Sequence, residues 1–450
     1  MTALLPPRVV VAGTHSGAGK TTVATGLMAA LRRRGHRVGA AKVGPDFIDP
    51  GYHALAVGRP SRNLDAWISG PGSLRPLAAK AGQGCDLLVV EGVMGLFDGA
   101  DDGTPSSTAD VAAELAAPVL LVVDAAGVGR SVAAVVAGFA GHDPRIRVAG
   151  VVLDRVGSDG HRATLVDALA ASGIPVVGAL PRDPRFAWRD RHLGLVPVVE
   201  RPDAVRASLD VLADQVARHC DLDLVEQVAR SAPPVPAGAL RAPRPSGRAR
   251  VAVASGPAFS FLYPDNVEAL AAAGAEVVPF DPLTAPSLPP GTAALVAGGG
   301  FPEVHVEALA ANGPLLADVA RRVDDGLVVW AECGGLLWLA RRLDGRPMAG
   351  VVPTEATTTE RLTLGYRTAT LTAGSPLGPA GTVLRGHEHH YTTCTPPGGA
   401  LDLRGSRQGR SAGGFAGPRL LAGYLHLHLA DRPELAERFV AAAAGGTTSG

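Results

Sequence analysis

The sequence predicts an α/β protein of two domains, each built on a parallel sheet. Three observations predict it. Short apolar runs alternate with helical stretches up to about residue 181, a proline-rich segment at 231–248 interrupts them, and beyond it the same rhythm restarts. Continuous apolar runs suit strands buried on both faces. Strand then helix, repeated, is the pattern of a parallel sheet with right-handed crossovers. The chain divides accordingly into a first domain at 1–200, a helical region with a Pro/Ala-rich linker at 201–248, and a second domain at 249–450.

In the first domain, strands are expected at 8–12, 38–42, 85–91, 118–124, 148–153 and 174–179. The helix after the first strand is marked by Val23, Leu27, Met28 and Leu31 at helical spacing, and Gly35 stops it. A helical region follows at about 204–230. Residues 231–248 carry too many prolines to continue a helix or a central strand, so they read as a linker. In the second domain, strands are expected at 250–254, 275–280, 293–297 and 327–330, and the last quarter, richer in Thr and Gly, reads as antiparallel strands. No internal repeat is visible.

Composition narrows the function. The 450 residues are enough for two cores, and 46% apolar with 19% charged residues suits a soluble enzyme. The formal net charge of +0 leaves no electrostatic footprint for nucleic acid or an anionic membrane. Nothing approaches the roughly 18 consecutive apolar residues of a membrane helix. The N-terminus is too short for a signal peptide and leads straight into a strand. Cys85, Cys220, Cys333 and Cys394 are scattered without a CxxC pair, which argues against a zinc site or disulfide framework and for a reducing cytoplasm.

The first strand runs into Gly13-Thr14-His15-Ser16-Gly17-Ala18-Gly19-Lys20-Thr21-Thr22, and a helix follows. Strand, glycine-rich turn, lysine-threonine and helix together read as a P-loop, with Thr14 standing where the strict pattern has its first glycine. Gly17 and Gly19 would let backbone amides close around phosphate oxygens, and the helix N-terminus adds its positive dipole end. Lys20 would reach the β/γ-phosphates, and the Thr21 hydroxyl can bind Mg²⁺. The candidate nucleotide-binding set is thus Thr14, Gly17, Gly19, Lys20, Thr21 and Thr22. Glu91, ending an apolar strand, holds the position of a second Mg²⁺ ligand, and Asp46, just past the next strand, is a third. Either acid could instead cap a helix or lie solvated in a loop. Asp98, Asp101 and Asp102 are weaker candidates.

In the second domain, the stretch Val329-Trp330-Ala331-Glu332-Cys333-Gly334-Gly335-Leu336 puts a cysteine where an expected strand gives way to an expected helix at 336–343. Such a turn can hold up a nucleophile. It can equally hold an ordinary buried thiol.

The P-loop resembles that of dethiobiotin synthetase. The longer string 42–53 (Lys-Val-Gly-Pro-Asp-Phe-Ile-Asp-Pro-Gly-Tyr-His) resembles one family within that group, the cobyrinic or hydrogenobyrinic acid a,c-diamide synthases of cobalamin biosynthesis. So do the segments 63–65, 91–99, 191–195, 298–303, 385–388 and 423–428, in order through nearly the whole chain. The resemblance implies a P-loop amidoligase domain that uses ATP and Mg²⁺ to phosphorylate a carboxylate of a corrin-ring precursor. It implies a C-terminal flavodoxin-like domain, a class I-type glutamine amidotransferase, that supplies ammonia. Together they would amidate the a and c acetate side chains.

That resemblance gives Cys333 the role of nucleophile on glutamine and His426 the role of base. The helix N-terminus after Cys333 is expected to lower its thiol pKa. The amides of Gly334 and of the 298–300 turn, Gly300 in particular, would stabilise the oxyanion. Where amidotransferases of this class often carry His-x-Glu, this chain has His428, and two residues apart on a strand both histidines could face inward. Asp154 stands where the family usually has an asparagine near the nucleobase, so base preference stays open. His387, Glu388, His389 and His390 form a cluster read as substrate-facing or interdomain rather than metal-binding. A sister amidoligase on another tetrapyrrole is the nearer rival. A P-loop ATPase switch is the further one, disfavoured by Cys333 and by His15 where those proteins carry a second lysine. The expected partners are the corrin polycarboxylate, glutamine and ATP, with no nucleic acid and no membrane, and homodimerisation is left open. The Ala/Arg/Gly-rich composition hints at an aerobic high-GC bacterium, hence at the metal-free ring.

Overall fold

The computed structural model describes residues 3–100, 102–183, 190–191, 194–195, 197–405 and 409–445. His192 and Leu193 of the 191–195 motif, and Asp101, lie outside the described residues. The chain divides into two compact units, Met1–Ala239 and Leu240–Gly450.

The first unit is built on a seven-stranded sheet whose neighbouring strands all pair in parallel. Its order is Arg62–Leu64, Val38–Val43, Leu87–Gly95, Arg8–Gly13, Val119–Asp124, Val148–Val156 and Val176–Pro181. All six residues of Arg8–Gly13 are buried, as the apolar run requires of a central strand. The chain leaves this strand toward one edge and later fills the other side. The carboxyl end of Arg8–Gly13 therefore lies where strand order reverses, the place open α/β sheets bind ligands.

The helix Lys20–Arg33 packs Val23, Leu27, Met28 and Leu31 into the core, each 0% exposed. The same core takes Leu209, Leu212, Val216, Val225 and Val228 from the helices Pro202–His219 and Leu222–Arg230. Each such side chain contributes about 1.5–3 kcal/mol when fully buried. Residues 231–239 are held to this unit as well. Leu5 N–H donates to Val235 O (2.9 Å), and the buried Arg8 guanidinium donates to Leu115 O (2.6 Å) and Pro233 O (2.7 Å).

The second unit has a six-stranded sheet in the order Ala275–Phe280, Ala249–Ala254, Thr292–Ala297, Val328–Glu332, Leu420–Gly423 and Phe415–Gly417. The first five run parallel and the last is an antiparallel edge. The Thr- and Gly-rich quarter forms a second sheet around the long antiparallel pair Glu355–Leu371 and Val383–Thr395.

One element is shorter than its sequence suggests. The helix after Cys333 spans Gly334–Leu339, and Ala340 is already extended. The chain at 348–352 folds back on it: Ala349 N–H donates to Trp338 O, Val352 N–H to Leu339 O and Gly350 N–H to Ala340 O. Carbonyls taken this way cannot carry another helical turn.

Candidate functional site

In the first unit the turn after Arg8–Gly13 has Gly17 and Gly19 in the left-handed region (φ 84° and 95°), so its amides converge ahead of the helix. Lys20 lies back over the turn, its Nζ donating to His15 O (3.2 Å). Thr14 Oγ1 pairs with His15 Nδ1 (3.0 Å), and Thr22 sits half-buried in the first helical turn. Burial lowers the Lys20 ammonium pKa, and neighbouring Lys42 adds to that.

Thr21 Oγ1 donates to Glu91 Oε1 (2.6 Å) and is 3.4 Å from Asp49 Oδ2. Glu91 is completely buried at the end of its strand. Sequence reasoning did not assign Asp49. It placed Asp46 at this position, but Asp46 Oδ1 accepts the amides of Ile48 (2.6 Å) and Asp49 (3.2 Å), capping its own loop. The carboxylate beside Thr21 is that of Asp49.

Two further residues went unassigned. Lys42 Nζ reaches Asp49 Oδ2 (2.6 Å), Glu91 Oε1 (2.8 Å) and Gly92 O (3.1 Å), and His53 Nε2 lies 2.5 Å from Glu91 Oε2. Burial alone would raise the Glu91 carboxyl, yet Lys42 and the His53 bond hold it well below the usual range. Burial alone would lower Lys42, yet Asp49 and Glu91 hold it raised. Burial and the adjacent Asp49 push Asp46 up to about 7. Asp98 accepts Gly95 N–H (2.8 Å) within its own loop, and Asp102 accepts Thr104 N–H (3.0 Å) and the Trp67 indole N–H (3.2 Å).

Asp154 borders the cradle. A Cβ on Gly19 would meet Asp154 Oδ2 at 2.1 Å, so only glycine fits there. Arg155, itself left-handed (φ 57°), donates to Gly17 O (2.9 Å) and pairs with Asp124. Burial raises the Asp154 carboxyl to about 6.

In the second unit Cys333 ends the strand Val328–Glu332 with φ 46° and ψ −101°. A non-glycine residue held there carries about 1–3 kcal/mol of strain. The surroundings enforce it: Cys333 N–H donates to Gly423 O (2.7 Å), and Gly335 N–H to Gly298 O (2.9 Å). The next residue packs on the 298–300 turn, since a Cβ on Gly334 would lie 3.1 Å from Gly300 N. Gly299 N–H is taken by Phe261 O (3.0 Å), while the Gly300 N lies against Gly334, which keeps the Gly300 amide an oxyanion candidate. The thiol does not follow the sequence expectation. Burial pushes its pKa up, the carboxylates of Glu303, Glu332 and Glu388 push it further, and the Gly334 amide offsets only part. A six-residue helix offers little dipole against that.

The two histidines part company. The strand His426–Leu427 is two residues long. His426 has Nδ1 3.7 Å from Glu332 Oε2 and stacks on His387 (centroids 5.0 Å, 23°). Its ring also faces the glycine turn: a Cβ on Gly299 would meet Cε1 at 2.4 Å. His428 goes elsewhere, with Nε2 3.8 Å from Asp265 Oδ2 and its ring edge-to-face with Tyr263 (4.7 Å).

In the 387–390 cluster, His387 is the ring stacked on His426. His390 stacks on Tyr424 (3.7 Å, 9°) and Glu388 Oε2 accepts from Arg367 (2.6 Å). Among the described residues no group of three or more His, Cys, Asp or Glu is arranged to hold a metal ion. Cys220 fills the first core, and Cys394 lies 3.4 Å from the Tyr424 hydroxyl. No helix among the described residues is long and apolar enough to cross a membrane.

A phosphate cradle on one sheet and a thiol elbow near a buried histidine on another define the class, a two-unit α/β protein equipped for phosphoryl chemistry in one unit and thiol chemistry in the other. Comparison with known proteins agrees. Residues 9–195 match the CobQ/CobB/MinD/ParA nucleotide binding domain, and residues 250–434 match the CobB/CobQ-like glutamine amidotransferase domain. The chain is 48% identical to a hydrogenobyrinate a,c-diamide synthase of Streptomyces coelicolor, over 96% of this chain and 97% of that one. It is 48% identical to its namesake in Thermobifida fusca, over 97% and 96%. It is 43% identical to a cobyrinate a,c-diamide synthase of Syntrophotalea carbinolica, over 96% and 98%. The chain belongs to this family of a,c-diamide synthases.

Proposed function

We propose that this protein amidates the a and c acetate carboxylates of hydrogenobyrinic acid, taking nitrogen from glutamine and a phosphoryl group from ATP, through acyl phosphate intermediates. The observation that carries the reading is likeness along nearly the full length to hydrogenobyrinate a,c-diamide synthases, at 48% identity. Relatives named for hydrogenobyrinate match at 42–48% and those named for cobyrinate at 43% and 37%, so the highest identities lie with the metal-free substrate.

A carboxylate does not react with ammonia at neutral pH, because its oxygen is a poor leaving group. In this reading a substrate carboxylate oxygen attacks the γ-phosphorus of ATP, and ADP leaves. Lys20 and the P-loop amides stabilise the charge on the transferring group. The donor set fits Mg²⁺, which is usually held by one or two carboxylates together with substrate phosphates. Thr21, Asp49 and Glu91 would hold it, and when bound it supplies charge neutralisation at the phosphates.

In the second unit the Cys333 sulfur attacks the glutamine side-chain amide as His426 takes the thiol proton and passes it to the departing ammonia. The Gly300 and Gly334 amides stabilise the oxyanion. Water then hydrolyses the thioester to glutamate. Ammonia displaces phosphate from the acyl phosphate. The raised thiol pKa fits a proton transfer coupled to attack rather than a standing thiolate.

The test is mass spectrometry of hydrogenobyrinic acid and, separately, cobyrinic acid after incubation with ATP, Mg²⁺ and amide-¹⁵N glutamine. Two ¹⁵N atoms in hydrogenobyrinic acid are expected. Labelling of cobyrinic acid alone overturns the choice of ring, and labelling of neither overturns the reaction.

A further inference from the structure

We propose that Glu332, the residue before the nucleophile, is the acid that orients His426 and balances its positive charge. In many amidotransferases of this class that part falls to a glutamate two residues after the histidine. Here that slot holds His428, which is turned to Asp265 and Tyr263. The inference rests on reading Cys333 as the glutaminase nucleophile.

The geometry is local and specific. Strand Val328–Glu332 pairs with Leu420–Gly423, setting Glu332 opposite Gly423, three residues before His426. Glu332 is 2% exposed and His426 1%. One carboxylate oxygen, Oε1, accepts the Leu427 N–H (2.9 Å), which fixes the carboxyl against the histidine's own strand. The other, Oε2, lies 3.7 Å from His426 Nδ1. With Nδ1 toward Glu332, the Cε1–Nε2 edge faces Gly299, in the turn on which Gly334 packs. The stacked His387 limits rotation of the ring. His426 therefore has an acid on one nitrogen, and the other is turned to the glycine turn beside the thiol elbow.

This arrangement fits a charge that exists only during turnover. When the thiol proton moves to His426 Nε2, the imidazolium forms beside a buried carboxylate, and the Nδ1–H···Oε2 contact can shorten. Catalytic hydrogen bonds are often long in resting enzymes and tighten in the complex. A carboxylate this deep without a partner would be expensive to keep. Glu332 thus acts through His426, as a positioning residue.

The test uses the full chain. Glu332→Gln keeps a carbonyl for Leu427 N–H and removes the charge. Glutamine-dependent kcat is expected to fall about 10²-fold, with KM for glutamine within about twofold, since Glu332 is not placed against substrate. Amidation driven by added ammonia bypasses the thiol and reports whether the chain is folded. Glu332→Asp restores the charge and should recover about tenfold over Gln. A Glu332→Gln kcat within about threefold of the parent overturns the proposal. So does a loss that appears as raised KM, or one matched by the ammonia-driven reaction, because either marks a structural role. Undiminished glutamine use by Cys333→Ala would instead sink the nucleophile reading beneath it.

Discussion

Gly299→Ala is the sharpest steric test of the glutaminase site. An added Cβ would lie 2.4 Å from His426 Cε1, 3.3 Å from Nε2 and 3.3 Å from Phe261 Cβ. Carbon atoms sit comfortably at about 3.5 Å or more, so the imidazole must retreat by about 1 Å. It has little room to do so, because His387 is stacked against it at 5.0 Å and Glu332 is held by the Leu427 amide. A misplacement of about 1 Å in a reacting group can cost 10²-fold, which is about 2.7 kcal/mol of transition-state stabilisation. Glutamine-dependent amidation should therefore fall about 10²-fold, while the ammonia-driven reaction stays at the parent rate. The assay is the rate of ¹⁵N incorporation from glutamine against that from ammonium in the same preparation. A Gly299→Ala enzyme that uses glutamine within about twofold of the parent would show that the His426 ring does not have to stay where it lies.

Three other outcomes concern the ligase unit. Thr21→Ala removes the hydroxyl bonded to Glu91 and should cut ATP-dependent product by about 10²-fold while glutamate release from glutamine persists, measured side by side. Lys42→Ala leaves Asp49 and Glu91 buried without their shared cation and should destabilise the fold by about 3–5 kcal/mol in denaturant melts. Burial raises the Asp154 carboxyl from 3.8 to about 6, so the stability it lends is full below pH 3.8 and lost as pH rises through 6. Asp154→Asn should then be more stable than the parent by about 3 kcal/mol at pH 8, and by about half that at pH 5, in paired melts. An advantage that did not shrink with falling pH would exclude the carboxyl's ionisation as its source.

The parts of the two sites legible in the sequence are those built from consecutive residues. The cradle from Thr14 to Thr22 uses neighbouring backbone amides and left-handed glycines at 17 and 19, and a turn of that kind is written in its own residues. The elbow at Cys333 is likewise a strand end followed by two glycines. Strands buried on both faces announce themselves as apolar runs, so the parallel sheets could be read off as well.

What the tertiary structure alone decided is which acid faces which group. Asp46 and Asp49 lie three residues apart, the first in a loop and the second opening the helix Asp49–Val57, and only packing against Thr21 and Lys42 distinguishes the capping carboxylate from the one that reaches both. The end of the short helix at Leu339 was set by carbonyls meeting the 348–352 segment. Burial in the packed fold raises the Cys333 thiol pKa, and the carboxylates of Glu303 and Glu388, brought from other segments, add to the neighbouring Glu332. Sequence alone put the parts on offer, a glycine-rich phosphate turn, a cysteine at a strand end and a histidine far along the chain. It left open the acid for His426, because Glu332 and His426 meet only through the pairing of strands some ninety residues apart, and side-chain direction at such range is a property of the packed fold.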